Sequence, residues 1–217
     1  MTGSSSGIGR AVTEHLLTAG WAVRGLCRRD PGIDALDWVA TDLSRPGSVA
    51  DAVADLPAVD AVVHAAGFQR TNPLGNLRAA DLQEMFDVHV AAGAVLVDAL
   101  VDRITDGGRV VLIGSRTMTG VAGKSQYSAT KAALAGMSRS WAAELAPRRI
   151  TVNVVAPGPT ATAMTEDPGR AGTPVKVPPL GALVAADDVA ALVGFVVGPA
   201  GRSITGQVLT ICGGASL

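Results

Sequence analysis

Two rare residue types of this sequence, tyrosine and lysine, stand where acid–base chemistry would need them. The chain has a single tyrosine, Tyr127, and Lys131 follows it four residues later. Residues i and i+4 share one face of a helix, so both side chains can enter one cleft. A tyrosine hydroxyl with a pKa of ~10 is a weak acid at neutral pH. An ammonium ~4 Å away contributes about 4 kcal/mol at an effective dielectric of 20, enough to lower that pKa by ~3 units. The alternative is an amphipathic helix with a buried tyrosine.

A serine and a glycine-rich segment add two further chemical possibilities. Ser115 precedes Tyr127 at the end of an apolar run, where its hydroxyl could hold a carbonyl or alkoxide oxygen. At the start of the chain, the pattern T-G-x-x-x-G-x-G opens a helix-type run. Glycines let the backbone turn tightly and approach a pyrophosphate, whose charge meets N–H groups at the helix N-terminus. The residues of this segment are Gly3, Ser5, Ser6, Gly7, Ile8 and Gly9.

Short apolar runs alternate with helix-type segments along the whole chain, and these elements must position the candidate groups. Strands are predicted at 21–27, 38–41, 61–64, 109–114, 150–155 and 207–211, and helices at 7–19, 47–55, 78–103, 125–146 and 187–197. The strand runs are apolar on both faces, as expected for strands buried between two helical layers. The pattern predicts an α/β fold, a Rossmann-like doubly wound parallel sheet in a single domain of residues 1–217.

Composition excludes several classes of protein. The 217 residues are 48% hydrophobic and 17% charged with a net charge of −1, which is a globular composition without the excess of charge that binds nucleic acid or an anionic membrane. The longest apolar stretch, 189–201, is interrupted by glycine and proline, and we expect a cytoplasmic protein without a membrane span. Cys27 and Cys212 lie far apart, so buried thiols are expected rather than a metal site or a disulfide.

One segment rich in proline and glycine follows the predicted strand at 150–155. It covers about 157–180, and a loop of this length inside a compact domain is usually functional or disordered. Because it leaves the carboxyl edge of the sheet, where such folds bind ligands, we predict that it is a substrate lid. The alternative is a simple connector.

The spacing of these motifs resembles the short-chain dehydrogenase/reductase family, of the classical type. The resemblance depends on T-G-x-x-x-G-x-G together with Tyr127-Ser128-Ala129-Thr130-Lys131 and the preceding serine, and similar segments occur in order along nearly the whole chain. It implies an enzyme that transfers hydride between a nicotinamide cofactor and a ketone or secondary alcohol, with Ser115, Tyr127 and Lys131 as its catalytic residues. It also implies cofactor contacts at Asp42, Leu43, Ala65, Ala66, Gly67, Pro157, Gly158, Thr160 and Thr162.

The choice of cofactor is predicted from the end of the second family strand. Members that use NAD place an acidic residue there to bind the ribose 2′-hydroxyl, whereas a basic residue suits a 2′-phosphate. In this chain the position is Cys27, followed by Arg28 and Arg29. Guanidinium groups match phosphate well, so NADP(H) is preferred over NAD(H). The alternative is that both arginines are solvated loop charges.

Two features depart from the family pattern. The family has an asparagine on the long helix, where this chain has His89, and an imidazole could take over its part in a proton relay with a pH dependence of its own. His89 could instead be a filler in a site of low activity. Only Met1 precedes the glycine-rich motif, where the family has a central strand. The expected first strand is therefore truncated to a stub, or native residues precede Met1.

The expected function is an NADP(H)-dependent carbonyl or 3-oxoacyl reductase, or an alcohol dehydrogenase, acting on a small molecule. The rival is a catalytically weak or inactive cofactor-binding protein of the same fold that acts through oligomerisation or regulation. A halohydrin-lyase-like relative is disfavoured, because it would need arginine in place of Lys131 and a degraded glycine loop. The resemblance also implies a homo-oligomer, a tetramer or dimer formed through the long helices and the last strand.

Overall fold

The computed structural model describes residues 1–165 and 173–217. In this part of the chain the strands are β1 Arg24–Cys27, β2 Asp37–Ala40, β3 Val59–His64, β4 Ile104–Ile113, β5 Thr151–Pro157 and β6 Val208–Ile211. The α-helices are α1 Gly7–Thr18, α2 Pro46–Asp51, α3 Ala79–Phe86, α4 Ala92–Leu100, α5 Ser125–Leu145 and α6 Ala186–Val197. Every predicted strand and helix is therefore present, with ends that differ by a few residues.

The sheet is parallel, and residues 1–3 join its two parts. β1 pairs with β2, and β3, β4, β5 and β6 follow one another in that order. Thr2 bridges Leu26 of β1 and His64 of β3, and its N–H donates to Val63 at 3.0 Å. The Leu26 N–H donates back to the Met1 carbonyl at 2.8 Å. This short segment therefore occupies the central strand position and satisfies part of both neighbouring strand edges.

Helices cover both faces of the sheet. Apolar side chains of α1 and α6 form a cluster on one face with Val63, Val111 and Val155. Side chains of α2, α4 and α5 form another with residues such as Leu112 and Val154. All residues of β5 are buried, which explains why its sequence is mostly apolar. These two layers confirm the doubly wound α/β fold, and none of the described helices is long and apolar enough to cross a membrane.

The predicted helix at 78–103 is interrupted by a wide turn. α3 ends at Phe86, a π-helical turn occupies Asp87–Ala91, α4 continues from Ala92, and a 3₁₀ turn follows at Val101–Arg103. One extra residue per turn shifts the side-chain register without breaking the helical path. His89 lies in this wide turn and is fully buried.

The carboxyl ends of the parallel strands meet at one edge of the sheet. The glycine-rich loop, the segments after β1, β3 and β4, and the proline-rich segment after β5 all leave from this edge. Part of the predicted lid, 166–172, lies outside the described residues. Cys27 and Cys212 are both buried and free, as the sequence predicts.

Candidate active site

A cavity of about 1770 Å³ opens at the carboxyl edge of the sheet. The predicted catalytic residues Ser115, Tyr127 and Lys131 line it. Each predicted cofactor-contacting residue also lines it: Gly3, Ser5, Ser6, Gly7, Ile8, Gly9, Arg28, Arg29, Asp42, Leu43, Ala65, Ala66, Gly67, Pro157, Gly158, Thr160 and Thr162. His89 is placed behind the cavity wall, between Phe68 and Tyr127.

Ser115, Tyr127 and Lys131 converge from two elements. Ser115 follows β4, and Tyr127 and Lys131 lie one turn apart on α5. All three side chains are buried. The Lys131 ammonium donates a hydrogen bond to the Ile113 carbonyl at 2.8 Å, which fixes the end of the lysine beside the strand that leads into Ser115. Burial lowers the pKa of Lys131 to about 7.

The Ser115 hydroxyl is held by the 3₁₀ turn Arg116–Thr119 that it caps. The Thr117 N–H donates to Ser115 Oγ at 3.2 Å, and the two hydroxyl oxygens, Ser115 Oγ and Thr117 Oγ1, lie 2.9 Å apart. Thr117 is buried like Ser115. This contact was not predicted from the sequence, although a second hydroxyl residue two positions after the serine is visible there.

His89 makes a hydrogen bond with each ring nitrogen. Nε2 accepts from the Phe68 N–H at 3.1 Å. Thr130 Oγ1 donates to the Tyr127 carbonyl and so accepts from His89 Nδ1–H at 2.9 Å. Burial, then the charge of Lys131, keeps the pKa of His89 well below its usual value. The sequence predicted that His89 would add a pH dependence of its own near its ordinary pKa of ~6.5. That prediction is corrected, because a His89 ring with a pKa well below this value is neutral near pH 6.5.

His64 is a second buried histidine beside this site. It opens the segment His64-Ala65-Ala66-Gly67, which corresponds to N-N-A-G in the family that the sequence resembles. Thr2 Oγ1 accepts the N–H groups of Ala65 and Ala66 at 3.2 Å, so its proton is left for His64 Nδ1 at 2.8 Å. The opposite ring nitrogen donates to the His89 carbonyl at 3.1 Å. Burial, then the charge of Lys131, lowers the pKa of His64 to about 4.

The His64 network was missed from the sequence. A signal was available, because His64 and His89 are two of only three histidines and both stand where the resembling family has asparagine. The His89 carbonyl that His64 contacts lies in the wide turn at Asp87–Ala91. The neutral His64 ring therefore connects the end of β3 to the interrupted helix, and the neutral His89 ring connects that helix to the loop after β3 and to α5, which carries Lys131.

The glycine-rich loop forms a cradle that side chains would fill. Gly3 has a φ of 72°, and a Cβ there would lie 2.8 Å from the Ala66 backbone. A Cβ at Gly9 would meet the Gly3 carbonyl oxygen at 2.1 Å. Within the described residues, neither a side-chain cap nor an acidic first-turn residue meets the N-terminal N–H groups of α1. A phosphate fits this donor set, since those groups and the helix dipole favour an anion.

The predicted specificity residues follow β1 and line the same cavity beside the glycine-rich loop. The Cys27 thiol donates to the Arg29 carbonyl at 3.1 Å and accepts from Ser4 Oγ at 3.2 Å. Arg28 and Arg29 follow with exposed side chains. Asp42 Oδ1 accepts from the Ser44 hydroxyl at 2.7 Å, and hydrogen bonding by Ser44 lowers the pKa of this carboxyl. No acidic side chain stands at position 27 to repel a 2′-phosphate.

The segment after β5 closes the remaining wall. Pro157 is buried, and the Gly158 N–H donates to the Ile211 carbonyl of β6 at 2.8 Å. Thr160 bridges Val184, and its hydroxyl donates to the Gly158 carbonyl at 3.1 Å. Thr162 approaches Gly7, where an added Cβ would lie 3.4 Å from its methyl group. The start of the predicted lid therefore lies against the glycine cradle.

Known proteins are similar to this chain in sequence and in fold. A family model described as Enoyl-(Acyl carrier protein) reductase matches residues 3–216. The 3-oxoacyl-(acyl-carrier-protein) reductase FabG of Salmonella typhimurium is 34% identical over 232 residues, covering 99% of this chain and 95% of that protein.

Two solved structures have nearly the same fold. A short chain dehydrogenase from Burkholderia cenocepacia in complex with NADP is 36% identical with a TM-score of 0.88, and a blue fluorescent protein from a metagenomic library in complex with NADPH is 32% identical with a TM-score of 0.89. Each match covers 100% of this chain and 96% of the other. The chain belongs to the short-chain dehydrogenase/reductase family and is an NAD(P)-dependent oxidoreductase of that family.

Proposed function

We propose that this enzyme uses NADPH to reduce a ketone, and that 3-oxoacyl thioesters are its substrate class. The observation that carries the proposal is the burial of Ser115, Tyr127 and Lys131 together in the cavity that also contains the glycine cradle. The similarity to a 3-oxoacyl-(acyl-carrier-protein) reductase supports the substrate class. The reverse reaction is oxidation of a secondary alcohol.

The proposed acid–base roles follow from the positions of the three side chains. NADPH, when bound, supplies the hydride. Ser115 donates a hydrogen bond to the substrate oxygen and holds it, while Tyr127 gives that oxygen its proton. The protonated Lys131 ammonium stabilises the phenolate that Tyr127 leaves behind. Because Lys131 is buried and fixed on Ile113, its charge acts in a region of low dielectric.

The residues that would hold the cofactor divide into three groups. Backbone groups from Gly3 to Gly9 would bind the pyrophosphate at the start of α1. Asp42, Leu43 and the Ala65–Gly67 segment would surround the adenosine and its ribose. Pro157, Gly158, Thr160 and Thr162 would form the nicotinamide wall, and Lys131 would reach the nicotinamide ribose.

The preference for NADP(H) over NAD(H) is proposed from charge. Arg28 and Arg29 follow β1 on the cavity wall, and Cys27 stands where a carboxylate would favour NAD. Arginine binds phosphate through charge-assisted hydrogen bonds. The two relatives crystallised with NADP and NADPH are consistent with this choice.

His89 is proposed as a positioning residue rather than a proton carrier. Its ring connects the loop after β3 to α5, because it accepts from the Phe68 N–H in that loop and donates to Thr130 on α5. The ring also packs edge-on against Tyr127, with centroids 5.6 Å apart. His89 therefore fixes the position of Tyr127 relative to the loop that follows β3.

The remaining sequence-based expectations are also proposed for this chain. The segment at about 157–180 would act as the substrate lid, in a single domain that works in the cytoplasm. Self-association is supported by Leu82 and Phe86 on α3, which are 37% and 43% exposed beside Ala129 of α5. A dimer or tetramer by light scattering is expected, and a monomer at micromolar concentration would contradict it.

Steady-state NADPH oxidation tests the function. The wild-type protein should oxidise NADPH in the presence of a 3-oxoacyl thioester, with simple ketones as a comparison panel. A protein that binds NADPH but turns over none of these compounds would support the rival, a catalytically inactive cofactor-binding protein. The intact serine, tyrosine and lysine favour the enzyme.

A further inference from the structure

We propose that Thr117 is a positioning residue that orients the Ser115 hydroxyl toward the substrate oxygen. The inference rests on the proposed function and assigns a role in it to a residue that the motif does not include. Thr117 is 8% exposed, as is Ser115, and it contacts that serine through both its backbone and its side chain.

The direction of the hydroxyl contact decides what Ser115 can do. A serine hydroxyl has one proton and two acceptor sites. The Thr117 N–H already occupies one acceptor site at 3.2 Å. If Ser115 gave its proton to Thr117 Oγ1, 2.9 Å away, it would have none left for a ligand.

The opposite direction leaves the serine ready for substrate. If Thr117 donates, both acceptor sites of Ser115 are filled and its proton is free to point into the cavity. A ketone oxygen can only accept a hydrogen bond, so Ser115 can bind it only in this arrangement. Among the contacts described for the Thr117 hydroxyl, Ser115 Oγ is the acceptor available to its proton.

The same arrangement strengthens the hydrogen bond from the Ser115 hydroxyl to the substrate oxygen as the reaction proceeds. A hydroxyl that accepts hydrogen bonds becomes a better donor, because bonds in a chain polarise one another. Negative charge grows on the substrate oxygen as the hydride arrives, so this gain is larger in the transition state than in the bound substrate. Loss of the Thr117 hydroxyl should therefore lower kcat more than it raises KM.

A double-mutant cycle on the full-length protein tests this role. Thr117→Val removes the hydroxyl and preserves the shape of the side chain, whereas Thr117→Ser keeps the hydroxyl and removes the methyl group. We expect Thr117→Val to lower kcat by roughly fivefold to tenfold, which lies within the range expected for the loss of one ordinary hydrogen bond. KM, the Kd for NADPH and the midpoint of thermal unfolding should change little. Thr117→Ser should keep at least about half of the wild-type kcat, because it retains the hydroxyl that donates to Ser115.

The Ser115→Ala background separates positioning from packing. In Ser115→Ala, the further change Thr117→Val should have no effect on kcat, because the group that it orients is gone. Equal losses in both backgrounds, a wild-type rate in Thr117→Val, or an equal loss in Thr117→Ser would each overturn the inference. A wild-type protein that reduces no ketone would overturn the proposed function and this inference together, whereas a normal wild type with an unaffected Thr117→Val would overturn the inference alone.

Discussion

Acid should destabilise this protein in part through His64, and His64→Asn should reduce that sensitivity. The buried ring accepts from Thr2 and donates to the His89 carbonyl, so it must be neutral to keep both bonds. Asparagine also has one accepting and one donating group at this place. The substitution therefore removes the titration while keeping the chemistry of both contacts.

The magnitude follows from the pKa of His64. An unfolded histidine has a pKa of ~6.5, whereas burial lowers that of His64 to about 4 in the fold. Between these values the unfolded chain binds the proton and the folded protein does not, so the free energy of unfolding falls as pH falls. The contribution of neutral His64 to the free energy of unfolding is fully present above pH ~6.5, and about 2 kcal/mol of it is lost between pH 7 and pH 5. His89 acts in the same direction and is present in both proteins.

Urea unfolding at pH 7 and pH 5, at one protein concentration, measures the effect. His64→Asn is expected to lose about 2 kcal/mol less than the wild type over this interval, even if its smaller side chain lowers stability at pH 7. His15→Asn is the matched control, because His15 is an exposed histidine on α1. The reasoning is refuted if His64→Asn and the wild type lose the same free energy, or if the His15 control reproduces the change.

Two further predictions concern the cofactor and the interior of the site. Arg28→Asp should weaken NADPH binding by more than about tenfold and leave NADH binding equal or better, since a charge-assisted contact contributes roughly 1.5–3 kcal/mol. Fluorescence titration measures both affinities; Arg202→Asp controls for net charge, and equal wild-type affinities for the two cofactors would count against the assignment. His89→Asn should keep substantial activity with an unchanged pH profile, whereas His89→Ala should lose at least about tenfold in kcat, because the Phe68 N–H and Thr130 lose a buried partner. Equal rates in all three proteins would make His89 a bystander.

The parallel strands were predictable because burial on both faces leaves a simple signal. Five of the seven residues of β5 are apolar, and the structure buries the whole strand. The central strand position gave no such signal, because residues 1–3 are too few to show a pattern. Their place is set by pairing with Leu26 and His64, which depends on elements distant in sequence.

That the motif residues would meet in one cavity was also predictable, whereas their supporting contacts were not. Tyr127 and Lys131 are related by helical spacing, which a sequence displays directly. The wide turn at Asp87–Ala91 leaves the same apolar pattern as an ordinary helix, so the inward position of His89 was not visible. Hydrogen bonds such as His89 to Thr130 join residues 41 positions apart, and only tertiary packing brings them together.

The central claim is that Tyr127 is the acid of an NADPH-dependent ketone reduction. The most direct test compares NADPH oxidation by the wild type and by Tyr127→Phe with a 3-oxoacyl thioester, alongside the Kd of each protein for NADPH. The substitution removes only the hydroxyl, so kcat should fall by about 10²-fold or more while NADPH binding changes little. A Tyr127→Phe variant that keeps more than about a tenth of the wild-type kcat would contradict the account.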